Sequence, residues 1–266
     1  MDKSIQGTVA PTDKYLLSRL SHNSIAFELN RIREIIITPG VTPLPNQPGH
    51  QKGIINLRKN VIPLFDMRKM MGMLTIEDEL QQFTDILKQR EQDHVRWLDE
   101  LRASIVEKRE FRLTTDPHTC AFGKWYDNFK TDNIRISLFL RAFDEPHKRI
   151  HQSAIIIKEL IESKGYQAAI EYFGRVKDNE LSKMIELFNE LYQKIRENSK
   201  SYSIIVGDGD ELHLKGFVVD EVERITEISQ DMIKNGGFSS NGGFLKGIAR
   251  NNEKDYLIID YDKLLE

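Results

Sequence analysis

Both ends of the chain carry short runs of β-branched residues in which apolar and polar positions alternate. In residues 24–29 the alternation places Ile25, Phe27 and Leu29 on one face, and residues 32–38 form a second run of this kind. Alternation with a period of two is typical of a half-buried strand. We therefore predict that the chain begins with a pair of β-strands.

Further strands are predicted on each side of the centre. Residues 53–58 and 61–65 indicate a hairpin that turns at Lys59-Asn60, after a stretch rich in proline and glycine. Beyond Lys200 the alternation returns, interrupted by a predicted turn at residues 207–210 and a glycine-rich loop at residues 235–243. The later strand segments are residues 203–206, 214–222, 244–250 and 256–260. This pattern is typical of a β-barrel or a β-sandwich.

Between these flanks the apolar period lengthens to that of a helix. Within residues 76–112, one stripe is formed by residues seven positions apart, namely Leu80, Leu87, His94 and Leu101. Further helices are predicted at residues 120–126, from Glu145-Pro146 onward, and over residues 166–198. The pattern thus predicts a helical insert inside a β domain.

Two segments of the flanks repeat each other. Lys52-Gly53-Ile54 corresponds to Lys246-Gly247-Ile248, and the same interval separates each glycine from an aspartate, Asp66 or Asp260. The two flanks therefore look like two small barrels that share the same order of strands and turns. The helical insert leaves the first flank and returns to the second, so we expect its two ends to lie near each other.

Composition narrows the class of protein. The 266 residues, 39% of them hydrophobic, are enough for two compact units, and a net charge of −3 argues against nucleic acid or anionic lipid as a partner. The single cysteine cannot form an internal disulfide, and the polar first residues lack the apolar segment of a secretory signal. No apolar run is long enough to span a bilayer. We expect a cytoplasmic protein without membrane insertion.

The helical insert carries side chains that can ligate a metal ion, namely His94, Cys120, His147 and His151. Taken singly, each has an ordinary explanation as a buried core residue. His147 and His151, however, are four residues apart on one predicted helix and share a face. A thiolate with imidazoles is the donor set of tetrahedral zinc, and four protein ligands leave no position for a catalytic water. The residues therefore indicate a structural or sensory zinc site, and no catalytic residue is predicted.

Two other interpretations stay open at this point. A helical-bundle metalloprotein on a β scaffold, either a di-iron enzyme or an oxygen carrier, would use carboxylates such as Asp144 and Glu145 and would leave Cys120 without a role. Bound iron would identify such a protein. In the other interpretation the protein is a scaffold whose zinc is purely structural. A metalloprotease is not indicated, because Lys148 follows His147 where that motif requires glutamate.

Several segments resemble known families. In the flanks they are Ile32-Arg33-Glu34-Ile35, Thr42-Pro43-Leu44-Pro45, Gly53-Ile54-Ile55-Asn56-Leu57-Arg58, Val61-Ile62-Pro63-Leu64-Phe65-Asp66-Met67-Arg68 and Val219-Asp220-Glu221-Val222. These flanks, residues 14–83 and 200–266, are similar to the CheW family of chemotaxis coupling proteins. The insert, residues 84–199, carries His94-x-x-Trp97, Cys120-x-Phe122-Gly123-x-Trp125-Tyr126 and His147-x-x-x-His151. It resembles the chemoreceptor zinc-binding (CZB) domain.

The CheW resemblance implies an α+β fold, in which a pair of small, intertwined, five-stranded β-barrels is interrupted by an α-helical bundle. It also implies an adaptor, and not an enzyme, that joins a CheA-type histidine kinase to methyl-accepting chemoreceptors. By the same resemblance, Glu34 and Arg58 pair and matter for signalling, while Ile32 and Gly53 lie on the kinase-facing side. Lys59 stands where the family usually has glycine, which puts the turn and its contact in question.

The CZB resemblance implies that His94, Cys120, His147 and His151 bind zinc in a bundle that is often a homodimer. Such domains are associated with sensing zinc or oxidants such as hypochlorous acid. A thiolate is the species that oxidants attack, so oxidation of Cys120 would weaken one ligand. We therefore expect an adaptor whose coupling of receptor to kinase depends on zinc occupancy or on the redox state of Cys120.

Overall fold

The computed structural model of the protein describes residues 11–131, 134–197, 199–207, 213–234, 243–251 and 254–265. They form two compact units, one from the chain up to Ile76 and from Lys200 onward, the other from Glu77 to Ser199. Most of the turn predicted at residues 207–210 and of the loop predicted at residues 235–243 lies outside the described residues, as do residues 1–10. None of the described helices has the length and apolar composition needed to cross a membrane.

The elements follow one another in three groups. The first flank contains β1 (Thr12–Leu20), β2 (Asn23–Glu28), β3 (Ile32–Ile37), β4 (Gln51–Leu57), β5 (Asn60–Asp66) and α1 (Met67–Met70). The insert contains α2 (Ile76–Val106), α3 (Ala121–Asn128), α4 (Ile134–Leu140), α5 (Asp144–Lys164), α6 (Tyr166–Val176), a π-helical turn (Lys177–Leu181) and α7 (Ser182–Glu197). The second flank contains β6 (Tyr202–Val206), β7 (Lys215–Val219), β8 (Glu221–Ser229), β9 (Ile233–Lys234), β10 (Leu245–Asn251), β11 (Lys254–Ile259) and α8 (Tyr261–Leu265).

The strands of the described residues form two sheets. Sheet A has six strands in the order β8-β1-β2-β11-β10-β9, and sheet B has five in the order β3-β6-β7-β5-β4. Neighbouring strands are antiparallel, except that β2 is parallel to β11 and β5 is parallel to β7. Among these residues no ladder joins the first strand of a sheet to its last, so the expected barrels are present as open sheets.

Each sheet contains strands from both flanks, which corrects the expectation that each flank builds its own barrel. Sheet A combines β1 and β2 with the last four strands of the second flank. Sheet B combines β6 and β7 with β3, β4 and β5 of the first flank. The repeat is therefore present in the strand order, but each flank gives its first two strands to one sheet and the rest to the other. The sheets are intertwined, as the CheW resemblance implies.

The prediction that residues 24–29 and 32–38 form a strand pair is also wrong. β2 pairs with β1, and β3 pairs with β6, which follows the insert in the chain. β1 was not predicted at all, because Tyr15, Leu16 and Leu17 are buried in succession and leave no polar alternation to detect. Such a continuous apolar run is expected of a strand covered on both faces.

Two equivalent hairpins, β4–β5 and β10–β11, carry the repeated glycine. The strand register shifts beside Gly53 in the first hairpin and beside Gly247 in the second. A Cβ atom at Gly53 would collide with the Thr42 carbonyl oxygen, and one at Gly247 would press against the Lys234 carbonyl oxygen. Glycine at both positions therefore lets a neighbouring backbone approach the bulged strand.

The core of the first unit draws side chains from both sheets. Its largest cluster places Ile25 and Phe27 of sheet A with Ile204 and Phe217 of sheet B. Fully burying one such side chain stabilises a protein by about 1.5–3 kcal/mol. Because each sheet already mixes the two flanks, this shared core requires both flanks to be present.

The second unit is a helical bundle whose core confirms the stripe predicted for α2. Of its members, Leu87, His94 and Leu101 are buried, and Leu80 is partly buried and packs against the same core cluster. The helices differ from the prediction in several places, and α4 (Ile134–Leu140) was not predicted at all. α2 ends at Val106 and not near residue 112, and the helix predicted over residues 166–198 is interrupted by the π-helical turn.

Candidate metal centre

The side chain of His94 is enclosed within the bundle and is only 3% exposed. Its Nδ1 lies 2.9 Å from the carbonyl oxygen of Arg90, one turn earlier in α2. An imidazole nitrogen that bonds a carbonyl carries the proton, so Nε2 keeps a free lone pair. This Nε2 is buried and has no hydrogen-bond partner within the part of the chain that the structure describes.

Cys120 lies at the N-cap of α3 and is partly exposed. Its sulfur accepts a hydrogen bond from the backbone N–H of Gly123 at 3.2 Å, and its thiol donates to the Pro117 carbonyl oxygen at 3.3 Å. A Cβ atom at Gly123 would collide with that same carbonyl oxygen. Glycine therefore allows the preceding loop to close onto the start of the helix and to hold the thiol.

His147 and His151 lie in the first half of α5 and are both buried. Their ring centroids are 4.8 Å apart, and the Nε2 of His147 lies 3.3 Å from the Cys120 sulfur. The Nδ1 of His151 donates to the Thr114 carbonyl oxygen at 3.2 Å, which leaves its Nε2 as an acceptor. α5 begins at Asp144. Pro146 suits its first turn because proline has no backbone N–H that would need an acceptor there.

Burial holds the imidazoles in their neutral form. It lowers the pKa of His94 and of His151 to about 4, and the pKa of His147 to about 2. Neutral imidazole is the form that binds a metal ion. Burial also raises the pKa of the Cys120 thiol, although the backbone N–H groups of Gly123 and Phe122 oppose this rise. A coordinating thiol, in contrast, is deprotonated by the metal itself.

The donor atoms of His94, Cys120, His147 and His151 lie within 4.8 Å of one another. Tetrahedral zinc, with Zn–N of about 2.0–2.1 Å and Zn–S of about 2.3 Å, places its donors roughly 3.3–3.6 Å apart. Within the described residues the cluster includes no carboxylate. The cluster can hold a metal ion, and its three nitrogens and one sulfur fit zinc better than a carboxylate-rich di-iron site.

The four residues expected at a partner surface belong to sheet B or to its β4–β5 turn. Ile32 is the first residue of β3 and packs against the largest core cluster of the first unit, and Gly53 lies in β4. Glu34 and Arg58 are brought together, with Arg58 Nη2 donating to Glu34 Oε1 at 2.9 Å. The Arg58 side chain is 78% exposed, so this ion pair lies at the surface. The turn centres on Arg58-Lys59, one residue earlier than predicted.

Three backbone carbonyls next to the ligands were not predicted, namely those of Arg90, Thr114 and Pro117. Every residue has a carbonyl, so no signal in the sequence could have found them. Trp97 is a different case, because its indole N–H donates to the Thr114 carbonyl oxygen at 2.9 Å. The motif His94-x-x-Trp97 contains this residue without indicating what it does.

Comparisons with known proteins give matches to two domain families. A family model of the CheW-like domain matches residues 14–103 and 179–266, and a model of the chemoreceptor zinc-binding domain matches residues 94–158. The chemotaxis protein CheW of Thermotoga maritima is 25% identical over 122 residues, which cover 46% of this chain and 79% of that protein. The crystal structure of the scaffolding protein TtCheW from Thermoanaerobacter tengcongensis is 14% identical, with a TM-score of 0.43 over 94% of this chain and 89% of that one.

Proposed function

Since the chain belongs to the CheW-like family and carries a chemoreceptor zinc-binding domain between its CheW-like halves, we propose that it couples methyl-accepting chemoreceptors to a CheA-type histidine kinase. The family is one of scaffold proteins and not of enzymes. Support comes from the CheW-like match on both sides of the insert and from a relative that is itself a chemotaxis protein. In this proposal the adaptor acts in the cytoplasm.

The proposed partner surface is the region of sheet B that carries Ile32, Glu34, Gly53 and Arg58. The exposed Glu34–Arg58 ion pair presents two fixed charges to a partner. Gly53 lies in the bulged strand of the β4–β5 hairpin, which also carries Arg58. Because glycine has no side chain, the backbone of Thr42 can approach it closely. These features support a docking surface whose specificity depends on charge and backbone shape.

The zinc part of the proposal is carried by the convergence of His94, Cys120, His147 and His151, together with the buried and unpartnered Nε2 of His94. When bound, zinc would join α2, α3 and α5 and would keep Cys120 as a thiolate. Four protein donors suit a structural or sensory site, because they leave no open position for a substrate. Self-association through the bundle stays a prediction, which sedimentation velocity would test.

Cys120 is the proposed point of attack for oxidants, since it is the partly exposed member of the cluster while the three histidines are buried. Its thiolate reacts with hypochlorous acid, so that the sulfur becomes a sulfenic acid, oxygen is gained from the oxidant and chloride leaves. A sulfenic acid is a poorer ligand than a thiolate. The helices that the four ligands join would therefore be held less tightly after oxidation.

Elemental analysis tests the zinc part directly. Wild-type protein and Cys120→Ala would be purified side by side, and the wild type would be measured before and after mild treatment with hypochlorous acid. We expect about one zinc per chain in the wild type, as a structural site requires, and loss of zinc in the variant and after oxidation. Iron in place of zinc, or no metal at all, would contradict the proposed site.

A reconstituted assay with receptor and kinase tests the coupling and its regulation. Wild-type protein should support receptor control of kinase activity, and the oxidant should change that control. Cys120→Ser should couple but should not respond to the oxidant. If the oxidant leaves coupling by the wild type unchanged, the zinc is purely structural and the adaptor role stands. If Cys120→Ser responds as the wild type does, Cys120 is not the point of attack. If the wild type gives no coupling, the adaptor role itself fails.

A further inference from the structure

Trp97 connects α2 to the irregular segment between α2 and α3. It lies three residues after His94 and is only 6% exposed. Its indole N–H donates to the carbonyl oxygen of Thr114 at 2.9 Å. Thr114 belongs to no helix or strand, so a buried side chain of α2 bonds a carbonyl in a loop.

The same carbonyl oxygen accepts a second hydrogen bond, from the Nδ1 of His151 at 3.2 Å. A carbonyl oxygen has two lone pairs and can serve both donors. Donation from Nδ1 leaves the Nε2 of His151 as the nitrogen with a lone pair for a metal ion. The tautomer of His151 therefore depends on where Thr114 places its carbonyl, and the Trp97 indole bonds that same oxygen.

Ring packing adds a second restraint on His151. The centroids of the Trp97 and His151 rings are 4.8 Å apart, and the centroids of the Trp97 and Phe111 rings are 4.9 Å apart. His151 is 1% exposed, so its ring has little room to rotate. Trp97 thus acts on His151 twice, through the shared carbonyl and through direct contact.

His94 shows why this support is needed at His151 in particular. The Nδ1 of His94 finds its acceptor in Arg90, within the same helix, so the helix geometry alone sets its direction. The acceptor of His151 lies 37 residues away in the chain and in a loop. The Thr114 side chain accepts from the Asp116 backbone N–H at 3.2 Å and bonds Thr119 Oγ1 at 2.6 Å, which holds the loop. The Trp97 indole N–H is the donor that also bonds the carbonyl oxygen itself.

We propose that Trp97 is a positioning residue of the metal centre, which sets the tautomer and direction of His151 through the Thr114 carbonyl. The inference rests on the zinc site proposed above. Groups that orient a ligating histidine typically change metal affinity by about 10–100-fold when they are removed. Removal of the Trp97 indole N–H should weaken zinc binding by a factor of this size.

The test compares Trp97→Phe with Trp125→Phe. The first variant keeps an aromatic ring and loses the N–H, and the second removes the other tryptophan, which packs with Phe83, Phe122 and Phe129. Benzothienylalanine at position 97 serves as a second variant, because it keeps the shape of tryptophan without the donor. Zinc affinity, measured by competition with a chelating dye, should fall by about tenfold or more in both position-97 variants and stay unchanged in Trp125→Phe.

A second measurement, on the metal-free protein, separates positioning from general destabilisation. Nitrogen-15 NMR of labelled histidine reports which ring nitrogen of His151 carries the proton. We expect the Nδ1–H tautomer in the wild type and in Trp125→Phe, and a mixture of tautomers in both position-97 variants. Retention of a single Nδ1–H tautomer in those variants would overturn the proposal, whatever happens to the affinity. If the wild type binds no zinc, the proposed function fails, while the tautomer still decides the role of Trp97.

Discussion

At the scale of single residues, Gly123 shows how one position serves the metal centre. Its N–H donates to the Cys120 sulfur, and its missing side chain leaves room for the Pro117 carbonyl oxygen, which accepts from the thiol. Intrinsic helix propensity alone would favour alanine at such a position by about 1 kcal/mol. Here the contact with the loop outweighs propensity, because a Cβ atom would displace the backbone that holds the ligand.

We expect Gly123→Ala to lower the free energy of unfolding by about 1–3 kcal/mol, the usual cost of overpacking. Metal binding should weaken as well, since Cys120 moves with the loop. Denaturant titration and metal competition measure the two effects. Gly174→Ala is the matched control, because Gly174 lies within α6 and its Cβ would meet open space. The control should raise the free energy of unfolding by about 0.5–1 kcal/mol, and a similar gain in Gly123→Ala would contradict this account.

The Glu34–Arg58 ion pair belongs to the same scale but should matter for binding more than for stability. Exposed ion pairs contribute about 0–1 kcal/mol, so Glu34→Arg and Arg58→Glu should each change the free energy of unfolding by less than about 1 kcal/mol. Each variant reverses a charge of the proposed partner surface and should reduce kinase coupling in the reconstituted assay. Arg250→Glu, which disrupts an exposed pair with Asp255 in sheet A, is the control. Full coupling by both test variants would exclude this surface.

At the scale of elements, the β4–β5 turn has an unfavourable backbone for its sequence. Arg58 and Lys59 have φ angles of 49° and 74°, as a two-residue turn of type I′ requires. A left-handed backbone costs a residue other than glycine roughly 1–2 kcal/mol. Lys59 therefore carries strain that the glycine usual in the CheW family would avoid, and the hairpin forms in spite of it.

Lys59→Gly should consequently stabilise the protein. We expect the free energy of unfolding to rise by about 0.5–1 kcal/mol, because relief of the strain exceeds the entropy that glycine adds to the unfolded chain. Lys88→Gly is the control, since Lys88 is exposed in the middle of α2. In that control the free energy of unfolding should fall by about 1 kcal/mol. Denaturant titration measures both, and a loss of stability in Lys59→Gly would show that the turn is not strained.

At the scale of the whole molecule, a buried ion pair joins the two flanks of the first unit. Arg68 donates from Nε to Asp220 Oδ1 at 2.7 Å and from Nη2 to Asp220 Oδ2 at 2.5 Å. Their side chains are 7% and 16% exposed, so water screens the charges little. Asp220 also accepts from the backbone N–H of Ser21 at 2.6 Å. The pair therefore links parts of the chain that the helical insert separates.

Arg68→Met should lower the free energy of unfolding by up to about 3–5 kcal/mol, because it leaves the largely buried Asp220 carboxylate without a positive partner. The double variant Arg68→Met with Asp220→Leu should recover part of this loss, since no unpaired charge remains. Arg250→Met is the control at an exposed pair and should change the free energy by less than about 1 kcal/mol. Calorimetry or denaturant titration provides the values, and equal losses at the two arginines would contradict the importance of burial.

Much of this protein follows from local patterns in the chain. The buried stripe of α2, with His94 in line with Leu87 and Leu101, could be predicted because helical periodicity relates residues only a few positions apart. The spacing of His147 and His151 likewise sets one helix face. The ligand types limit the metal, and the CheW-like motifs imply the intertwined fold. These features depend on side-chain chemistry that the sequence displays directly.

Other features are decided only by tertiary packing. β1 pairs with β8, and Arg68 meets Asp220, because the surfaces that bury each other come from distant parts of the chain. The tautomer of His151 depends on the carbonyl of Thr114, a backbone group that every residue possesses. Periodicity and composition carry no information about such partners. The physical reason is that burial and hydrogen bonding act between whatever groups the fold brings together, regardless of their separation in sequence.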